Sequence, residues 1–268
     1  MIGIFDSGLG GLSVLKTISQ TLANERLLYL ADNAHIPYGD KTEEFIKQRV
    51  LSIGEYLVQQ GCTILVVACN TATAAAINAL RSAHPKIPIV GVEPGVKPAA
   101  SASRSGRIAI LATPSTARST RLAELIARYA AGVHVDIQPC PGWATRVETL
   151  QLDDPTFAAE ANARLTPLIA AGADHIVLGC THYSFLIPLL STIIDGRAQL
   201  VDVASAVARQ CSRLLDASVS NQQGIRQIGK IKLFATADPG RLERALSALH
   251  LGEDVLNKLE GEASLAKV

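Results

Sequence analysis

The 268-residue sequence has few aromatic residues and almost no excess of charge of either sign. Phe, Trp and Tyr make up 4% of it, and 25 basic residues against 24 acidic ones leave a formal net charge of +1. Proteins that bind nucleic acids rely on clustered basic residues and often on aromatic side chains that stack on bases. The composition therefore argues against a nucleic acid as a partner.

Long apolar runs are also lacking. None approaches the roughly 20 residues that a helix needs to cross a bilayer. The first residues, MIGIFD, are typical of a strand and lack the charged segment and apolar core of a secretory signal. We therefore expect a cytoplasmic protein with no membrane partner.

Cysteine occurs five times but never in the C-x-x-C spacing of zinc knuckles and thioredoxin-like motifs. We therefore predict no metal site, and in a reducing cytosol the five cysteines should be free thiols. Cys62 lies at a predicted helix-to-strand junction, and Cys211 lies inside a helical pattern. Both are expected to be ordinary core residues, because free cysteine is usually buried.

Apolar residues, by contrast, are plentiful, at 48%. Short apolar runs alternate with amphipathic segments, which predicts an α/β protein with mainly parallel sheets. Strands are expected at residues 2–5, 26–31, 87–92, 107–112, 133–138, 199–203 and 231–235, besides two that end just before Cys69 and Cys180. Helices are expected at residues 42–60, 72–83, 119–130 and 157–171 and from residue 240.

The order of these elements indicates two similar, doubly wound lobes. Asp6 precedes Cys69 by 63 positions, and Thr113 precedes Cys180 by 67, at equivalent places in the pattern. Residues 97–107 are expected to be a helix remnant and a linker. We predict a discontinuous first lobe (residues 1–95 and 205–268), a second lobe (96–204), a pseudo-two-fold axis between them and an active site in their cleft. The tail after residue 260 is expected to fray.

Cys69 and Cys180 each follow a buried strand and precede residues that could begin a helix. Ligands of open parallel sheets bind beyond the carboxyl ends of the strands, and a helix N-terminus lowers the pKa of a thiol. Two such thiols on opposite faces of an amino acid could remove the α-proton and return one on the other side. No cofactor is needed if the site stabilises the carbanion, for which Asn70, Thr71 and Thr181 offer donors.

Two other loops are candidates for the same site. Residues 6–13 follow the first strand and are rich in glycine, but they match neither the dinucleotide fingerprint nor the P-loop. Their backbone amides could hold a carboxylate. Residues 32–40 are dense in turn formers after the second strand. The side chains of Asp6, Glu148 and His182 are candidates to assist the two thiols.

Six segments resemble the glutamate racemases of the aspartate/glutamate racemase family. They are residues 5–12 (FDSGLGGL), 37–39 (PYG), 69–72 (CNTA), 91–94 (GVEP), 112–113 (AT) with Thr116, and 178–183 (LGCTHY). These segments occur in the family's order. The resemblance implies a two-domain α/β fold and a cofactor-independent racemase that makes D-glutamate for peptidoglycan synthesis.

The resemblance also implies a role for each matching residue. Cys69 would be the catalytic acid/base that acts on D-glutamate, and Cys180 the one that acts on L-glutamate. The substrate pocket would be lined by Asp6, Ser7, Tyr38, Gly39, Asn70, Thr71, Thr113, Thr181 and His182. No metal or other cofactor is implied, and the partner is the small-molecule substrate glutamate.

The segment around Glu148 departs from the family pattern. Residues 140–148 read CPGWATRVE, in which Arg146 is unexpected and puts the role of Glu148 in question. Two alternatives stay open: an aspartate racemase or arylmalonate-decarboxylase-like enzyme, and an amino-acid-binding protein with inert thiols. His182 favours the glutamate branch, since aspartate enzymes tend to have an acidic residue there. A homodimer and activation by a cell-wall precursor are also left open.

Overall fold

The computed structural model describes residues 1–218 and 229–268. Residues 219–228, which the predicted first lobe includes, lie outside the described part. The described residues form ten strands: β1 (Ile2–Asp6), β2 (Leu27–Ala31), β3 (Ile64–Val67), β4 (Ile89–Gly91), β5 (Arg107–Ala112), β6 (His134–Pro139), β7 (His175–Leu178), β8 (Gln199–Val201), β9 (Ile231–Ala235) and β10 (Ser264–Leu265).

Helices connect most of these strands. Over the same residues the α-helices are α1 (Leu12–Thr21), α2 (Glu43–Gln59), α3 (Asn70–Ala83), α4 (Val96–Ala102), α5 (Pro114–Arg118), α6 (Thr120–Tyr129), α7 (Trp143–Glu148), α8 (Pro155–Ala170), α9 (Ile187–Ile194), α10 (Ala204–Ser218), α11 (Pro239–Ala248) and α12 (Glu253–Leu256). Two 3-10 helices, Tyr38–Asp40 and Thr181–Leu186, complete the set.

The chain separates into two compact units. Unit 1 comprises Met1–Val92 and Ala204–Val268, and unit 2 comprises Glu93–Val203. Unit 1 holds a six-stranded sheet in the order β10-β9-β2-β1-β3-β4, and unit 2 holds a four-stranded sheet in the order β6-β5-β7-β8. Every pairing in both sheets is parallel. The α/β class and the parallel sheets predicted from the sequence are confirmed.

Strand composition explains the layers of unit 1. Strands β2 and β3 are apolar, β1 is apolar up to Asp6, and all three are buried, as parallel strands covered on both faces are. Alternate residues such as Phe5 and Val67 share one core cluster with Val50 and Ile53 of α2 and with Leu80 of α3. Helix α1 packs against α10 instead. The helix spacing of apolar residues in 42–60 thus marks the face of α2 that meets the sheet.

The segment predicted as a helix remnant is a packed helix. Helix α4 occupies Val96–Ala102, and both Val96 and Ala99 are fully buried in the core cluster of unit 2. The carboxylate of Asp174 holds the turn after it by accepting from Ser103 Oγ and from the backbone N–H of Ser105. The residues rich in Ser and Gly at 103–106 therefore form a turn that hydrogen bonds to Asp174 hold in place.

The expectation that the tail frays after residue 260 is wrong. Strand β10 pairs with β9, and the backbone N–H of Ala266 donates to Ala235 O at 2.8 Å. Ala266 is only 4% exposed. Strand β9 would otherwise end the sheet with unpaired backbone groups, and the tail satisfies them. In the part of the chain that the structure describes, no helix is both long and apolar enough to cross a membrane.

Candidate active site

The strand order of unit 1 reverses direction between β1 and β3, because β2 lies on one side of β1 and β3 on the other. Open parallel sheets bind ligands in the crevice outside the carboxyl ends of the strands at this switch point. Asp6 is the last residue of β1, and Cys69 follows β3 by two positions. The two residues that the sequence singled out thus lie at the edge where this fold binds ligands.

Cys69 is 6% exposed and caps α3. Its Sγ accepts from the backbone N–H of Ala72 at 3.5 Å. Its thiol also lies 3.8 Å from Ser7 Oγ, which in turn donates to Asp6 Oδ1 at 3.0 Å. A helix N-terminus favours negative charge on a capping group, so the thiolate form is supported here. The Ser7 hydroxyl connects the thiol to a buried carboxylate. We name this arrangement, with Tyr38, Asn70 and Thr71, the Cys69 site.

Asn70 begins α3 and is 5% exposed. Among the described residues, neither its Nδ2 nor its Oδ1 has a hydrogen-bond partner. An unsatisfied buried amide costs free energy, and such groups in native proteins are usually satisfied by something bound. Asn70 therefore offers two donors and an acceptor to a ligand at the Cys69 site.

The glycine-rich loop between β1 and α1 is held by close backbone packing. Tyr29 Oη donates to Gly8 O at 2.6 Å. A Cβ on Gly11 would lie 2.7 Å from Asp6 Cβ and 2.9 Å from Tyr29 Oη, closer than side chains tolerate. Glycine at position 11 is thus required for α1 to begin beside Asp6.

Unit 2 repeats the same strand order around β5 and β7. Thr113 follows β5, and Cys180 follows β7 by two positions. A Cβ on Gly179 would lie 2.7 Å from the carbonyl oxygen of Leu111, so glycine is needed for this close approach. The second cysteine that the sequence singled out therefore also lies at a switch point.

Cys180 is 7% exposed, and its partners differ from those of Cys69. Its Sγ lies 3.6 Å from His182 Nδ1, and His182 Nε2 lies 2.7 Å from Glu148 Oε1. Burial disfavours the charged imidazole, but the hydrogen bonds with Cys180 and Glu148 outweigh it and raise the pKa of His182 well above its ordinary value. A protonated His182 would stabilise a thiolate at Cys180. We name these residues, with Thr181, the Cys180 site.

The two cysteines are followed by different helices. Helix α3 begins at Asn70, directly after Cys69, where the sequence predicted that a helix could begin. Cys180 is instead followed by the 3-10 helix Thr181–Leu186, and α9 begins only after it. The expected helix start beside Cys180 is therefore only partly right, since the helix that begins there is a 3-10 helix.

The family profile described as Asp/Glu/Hydantoin racemase matches residues 2–211. The chain belongs to this family. It is therefore an isomerase that racemises its substrate. The glutamate racemase of Pseudomonas aeruginosa is 45% identical over 258 residues, which cover 96% of this chain and 97% of the relative. That of Pseudomonas syringae pv. tomato is 53% identical over 217 residues, covering 81% and 79%.

A solved racemase of the family has the same fold. The crystal structure of Escherichia coli glutamate racemase in complex with L-glutamate and the activator UDP-MurNAc-ala matches with a TM-score of 0.82 at 31% identity. The match covers 99% of this chain and 97% of that one. The glutamate racemase of Thermus thermophilus, solved with β-chloro-D-alanine, matches with a TM-score of 0.76 at 32% identity.

The departure around Glu148 is accommodated without disturbing it. Arg146 pairs with Asp154, and its guanidinium lies 5.5 Å from the ring centroid of Phe157. Glu148 remains buried and bonded to His182. Arg146 therefore does not displace Glu148 from its contact with His182.

Two further predicted pocket residues have defined places. Gly39 lies beside Tyr38 in the 3-10 helix Tyr38–Asp40 of unit 1. Thr113 caps α5, where its Oγ1 accepts from the backbone N–H of Thr116 at 3.2 Å. Thr113 thus serves as a helix cap beside the switch point of unit 2.

The other three cysteines, Cys62, Cys140 and Cys211, have environments unlike those of Cys69 and Cys180. Burial raises the pKa of Cys62 to about 11 and that of Cys211 to about 12. It also raises the pKa of Cys140 to about 12. The prediction that Cys62 and Cys211 are buried core residues is confirmed. Thiols of such high pKa are poor bases at neutral pH.

The sequence places Asp32 in a candidate loop, but Asp32 was given no role of its own and Arg49 was not considered. Asp32 follows β2 and is completely buried, and Arg49 reaches it from α2. An aspartate directly after a buried strand of a parallel sheet was a signal that could have drawn attention to it. Within residues 1–218 and 229–268, no group of three or more His, Cys, Asp or Glu side chains is arranged to hold a metal ion.

Proposed function

We propose that this chain racemises glutamate by proton transfer through Cys69 and Cys180, without a cofactor, and supplies D-glutamate for peptidoglycan synthesis in the cytoplasm. The observation that carries the proposal is that each switch point holds a buried cysteine beside polar groups that support a thiolate. The relatives named above, glutamate racemases at 45% and 53% identity, support glutamate as the substrate.

The chemistry needs one thiolate and one thiol. In the L-to-D direction the Cys180 thiolate takes the α-proton, so the C–H bond breaks as an S–H bond forms. The resulting carbanion then takes a proton from the Cys69 thiol, which is left as a thiolate. The reverse direction starts with Cys69 as the base. The mechanism requires the two sulfur atoms to reach opposite faces of the α-carbon.

Proton exchange with solvent must restore the starting state after each turnover. At the Cys180 site, the contacts that connect Cys180 Sγ to His182 and His182 to Glu148 offer a route for this proton. At the Cys69 site, the Ser7 hydroxyl and the Asp6 carboxylate do the same. Asp6, Glu148 and His182 are thus proposed as assistants that balance charge around the thiols.

The polar residues around the sulfurs are proposed to hold the substrate. The buried side-chain amide of Asn70, which has no hydrogen-bond partner among the described residues, and the N-terminal backbone amides of α3 suit a carboxylate. These groups would also stabilise the charge that develops when the α-carbon loses its proton. The proposed binding set is Asp6, Ser7, Tyr38, Gly39, Asn70, Thr71, Thr113, Thr181 and His182.

The test is circular dichroism of L- and D-glutamate incubated with the purified protein in the absence of added cofactor. Loss of optical activity from either enantiomer and incorporation of solvent deuterium at the α-carbon are expected. Cys69→Ser and Cys180→Ser should each lower kcat/KM at least about 100-fold, the scale of general acid–base catalysis. Cys211→Ser is the matched control, because Cys211 is buried in α10 with a pKa of about 12.

Three outcomes would contradict the proposal. Full racemisation by both site variants would exclude the two thiols as the bases. Binding heat with glutamate without loss of optical activity would indicate an amino-acid-binding protein. Faster turnover of aspartate than of glutamate would assign a different substrate within the family.

A further inference from the structure

Asp32 lies directly after β2 in unit 1 and is completely buried. Its Oδ2 accepts from Tyr38 Oη at 2.6 Å and from Arg49 Nε at 3.1 Å. Its Oδ1 accepts from Arg49 Nη2 at 2.9 Å and from Thr236 Oγ1 at 2.8 Å, and His35 Nδ1 lies 3.0 Å away. Four side chains, from the loop at residues 32–40, helix α2 and the end of β9, thus converge on one carboxylate.

This carboxylate is ionised. Burial raises the pKa of Asp32, but the hydrogen bonds from Arg49, Tyr38 and His35 outweigh it and hold the pKa below its ordinary value. A buried charge is tolerated only when it is paired and hydrogen-bonded, and the bidentate contact with Arg49 provides both the opposite charge and two hydrogen bonds. Arg49 itself is fixed by a further bond from Nη1 to the backbone oxygen of Val268 at 3.1 Å.

Tyr38 connects this network to the Cys69 site. Its hydroxyl has one proton, which it donates to Asp32. Its ring packs in the same core cluster as Cys69 and Ala72 at the start of α3. Tyr38 also begins the 3-10 helix that contains Gly39. The position of the hydroxyl therefore sets both the ring beside Cys69 and the backbone of the predicted pocket loop.

We propose that Asp32, held in place by Arg49, is a positioning residue for racemisation. It anchors Tyr38 by the hydroxyl and so fixes the substrate-binding surface of the Cys69 site. Asp32 is too deep to meet the substrate, and its effect passes through Tyr38. The inference rests on the proposed function, since it assigns to Tyr38 a place in the glutamate pocket.

The kinetic test compares Asp32→Asn, Tyr38→Phe and the double variant. Asp32→Asn keeps the size of the side chain but removes the charge that holds Tyr38. We expect KM for both enantiomers to rise about tenfold, the effect of losing one good hydrogen bond, while kcat falls less than about threefold. Such a pattern reports lost substrate binding and not a lost proton-transfer group.

Comparing KM of the double variant with KM of the two single variants distinguishes a positioning role of Asp32 from a general loss of stability. If Asp32 acts through Tyr38, the double variant raises KM no more than the larger of the single changes. Arg49→Lys keeps the positive charge but loses the two-pronged contact, and a smaller rise in KM is expected from it. This variant also keeps the test available if Asp32→Asn does not fold.

Asp174→Asn is the matched control in unit 2. Asp174 is also a carboxylate with several donors, including Ser103 Oγ at 2.8 Å and the N–H of Arg104 at 2.7 Å. It lies at the amino end of β7, whereas the Cys180 site follows the carboxyl end of that strand. Its replacement should lower the unfolding midpoint but leave KM and kcat within about twofold, since its hydrogen-bond partners among the described residues lie outside both sites.

An NMR measurement reports on the hydrogen bond between Tyr38 and Asp32 without any turnover of substrate. The chain has five tyrosines, so labelling their Cζ atoms with carbon-13 gives five signals, and that of Tyr38 is the one that Tyr38→Phe removes. Asp32→Asn and Arg49→Lys should shift this signal, and Asp174→Asn should not.

Each result decides a different point. An unshifted Tyr38 signal in Asp32→Asn would overturn the anchor. A shifted signal with unchanged KM, or an additive double variant, would overturn the role of the anchor in substrate binding. If the unmodified protein does not racemise glutamate, the proposed function fails, and the role in substrate binding fails with it. The NMR result would still show whether Asp32 holds Tyr38.

Discussion

The two thiols proposed as the bases differ in the groups that would support a negative charge on each. Cys69 has the N-terminus of α3 and the Ser7–Asp6 pair, whereas Cys180 has the His182–Glu148 pair. The equilibrium constant between enantiomers is one, so kcat/KM must be equal in the two directions whatever the variant. The difference between the sites is therefore expected in the pH dependence and in separate kcat and KM values.

Glu148→Gln tests whether Glu148, through His182, helps to stabilise a thiolate at Cys180. The hydrogen bond with Glu148 helps to raise the pKa of His182, so His182 stays protonated to a higher pH than a free histidine. Its contribution to activity and stability is fully present below the ordinary histidine pKa and is lost as pH rises through the raised one. In Glu148→Gln the loss should begin at lower pH, which profiles of kcat/KM against pH would show.

Glu160→Gln is the control for this measurement. Glu160 is another carboxylate of unit 2, bonded to Trp143 Nε1 at 3.1 Å and to Arg164 Nε at 3.1 Å. Its pH profile should match that of the unmodified protein. If Glu148→Gln kept the same alkaline limb, Glu148 would not be tuning His182.

At the scale of elements, the sequence predicted most strands and helices because their apolar periods are clear. Strand β2 and helix α2 each lie within one residue of the predicted ranges 26–31 and 42–60. The predicted range 72–83 begins two residues after the start of α3, although the residues after Cys69 were noted as a possible helix start. A cysteine sulfur serves as the cap, whereas sequence rules favour Ser, Thr, Asp or Asn there. The 3-10 helix after Cys180 has no simple signal in the sequence.

Gly11→Ala tests how closely α1 approaches the end of β1. A Cβ would lie 2.7 Å from Asp6 Cβ, so the loop must shift. We expect the free energy of unfolding to fall by about 1–3 kcal/mol, as for other overpacked sites. Because Asp6 is displaced as well, kcat/KM should fall. Urea denaturation and the circular dichroism assay measure the two effects.

Gly240→Ala is the matched glycine variant. Gly240 lies in α11, where a new Cβ would meet the flexible end of Arg244 at 3.3 Å and Asp238 Oδ1 at 3.4 Å. Alanine favours the helix, so stability should stay the same or rise slightly. Equal losses in both variants would mean that the approach of α1 to Asp6 is not the cause.

At the scale of the whole molecule, the sequence predicts order along the chain better than contacts across it. The two cysteine strands, β3 and β7, were recognised from local residues, and each pairs with the first strand of its unit, β1 or β5. The Asp32 network was not foreseen, because Thr236 and Arg49 stand 204 and 17 positions away from Asp32. Only the pairing of β9 with β2 brings Thr236 to Asp32. Local patterns do not contain that information.

The same long-range pairing explains why the C-terminal tail is ordered, and removing it gives the last prediction. Deleting residues 263–268 would remove the β10 pairing, the bond from Ala263 N–H to Glu243 Oε1 and that from Arg49 to Val268 O. At about 1 kcal/mol for each net hydrogen bond, stability should fall by roughly 2–4 kcal/mol. Urea unfolding measures this loss. Leu265→Ser is the control, because Leu265 is 53% exposed and its substitution leaves the backbone pairing intact. An unchanged midpoint in the shortened chain would mean that the tail contributes nothing to the sheet.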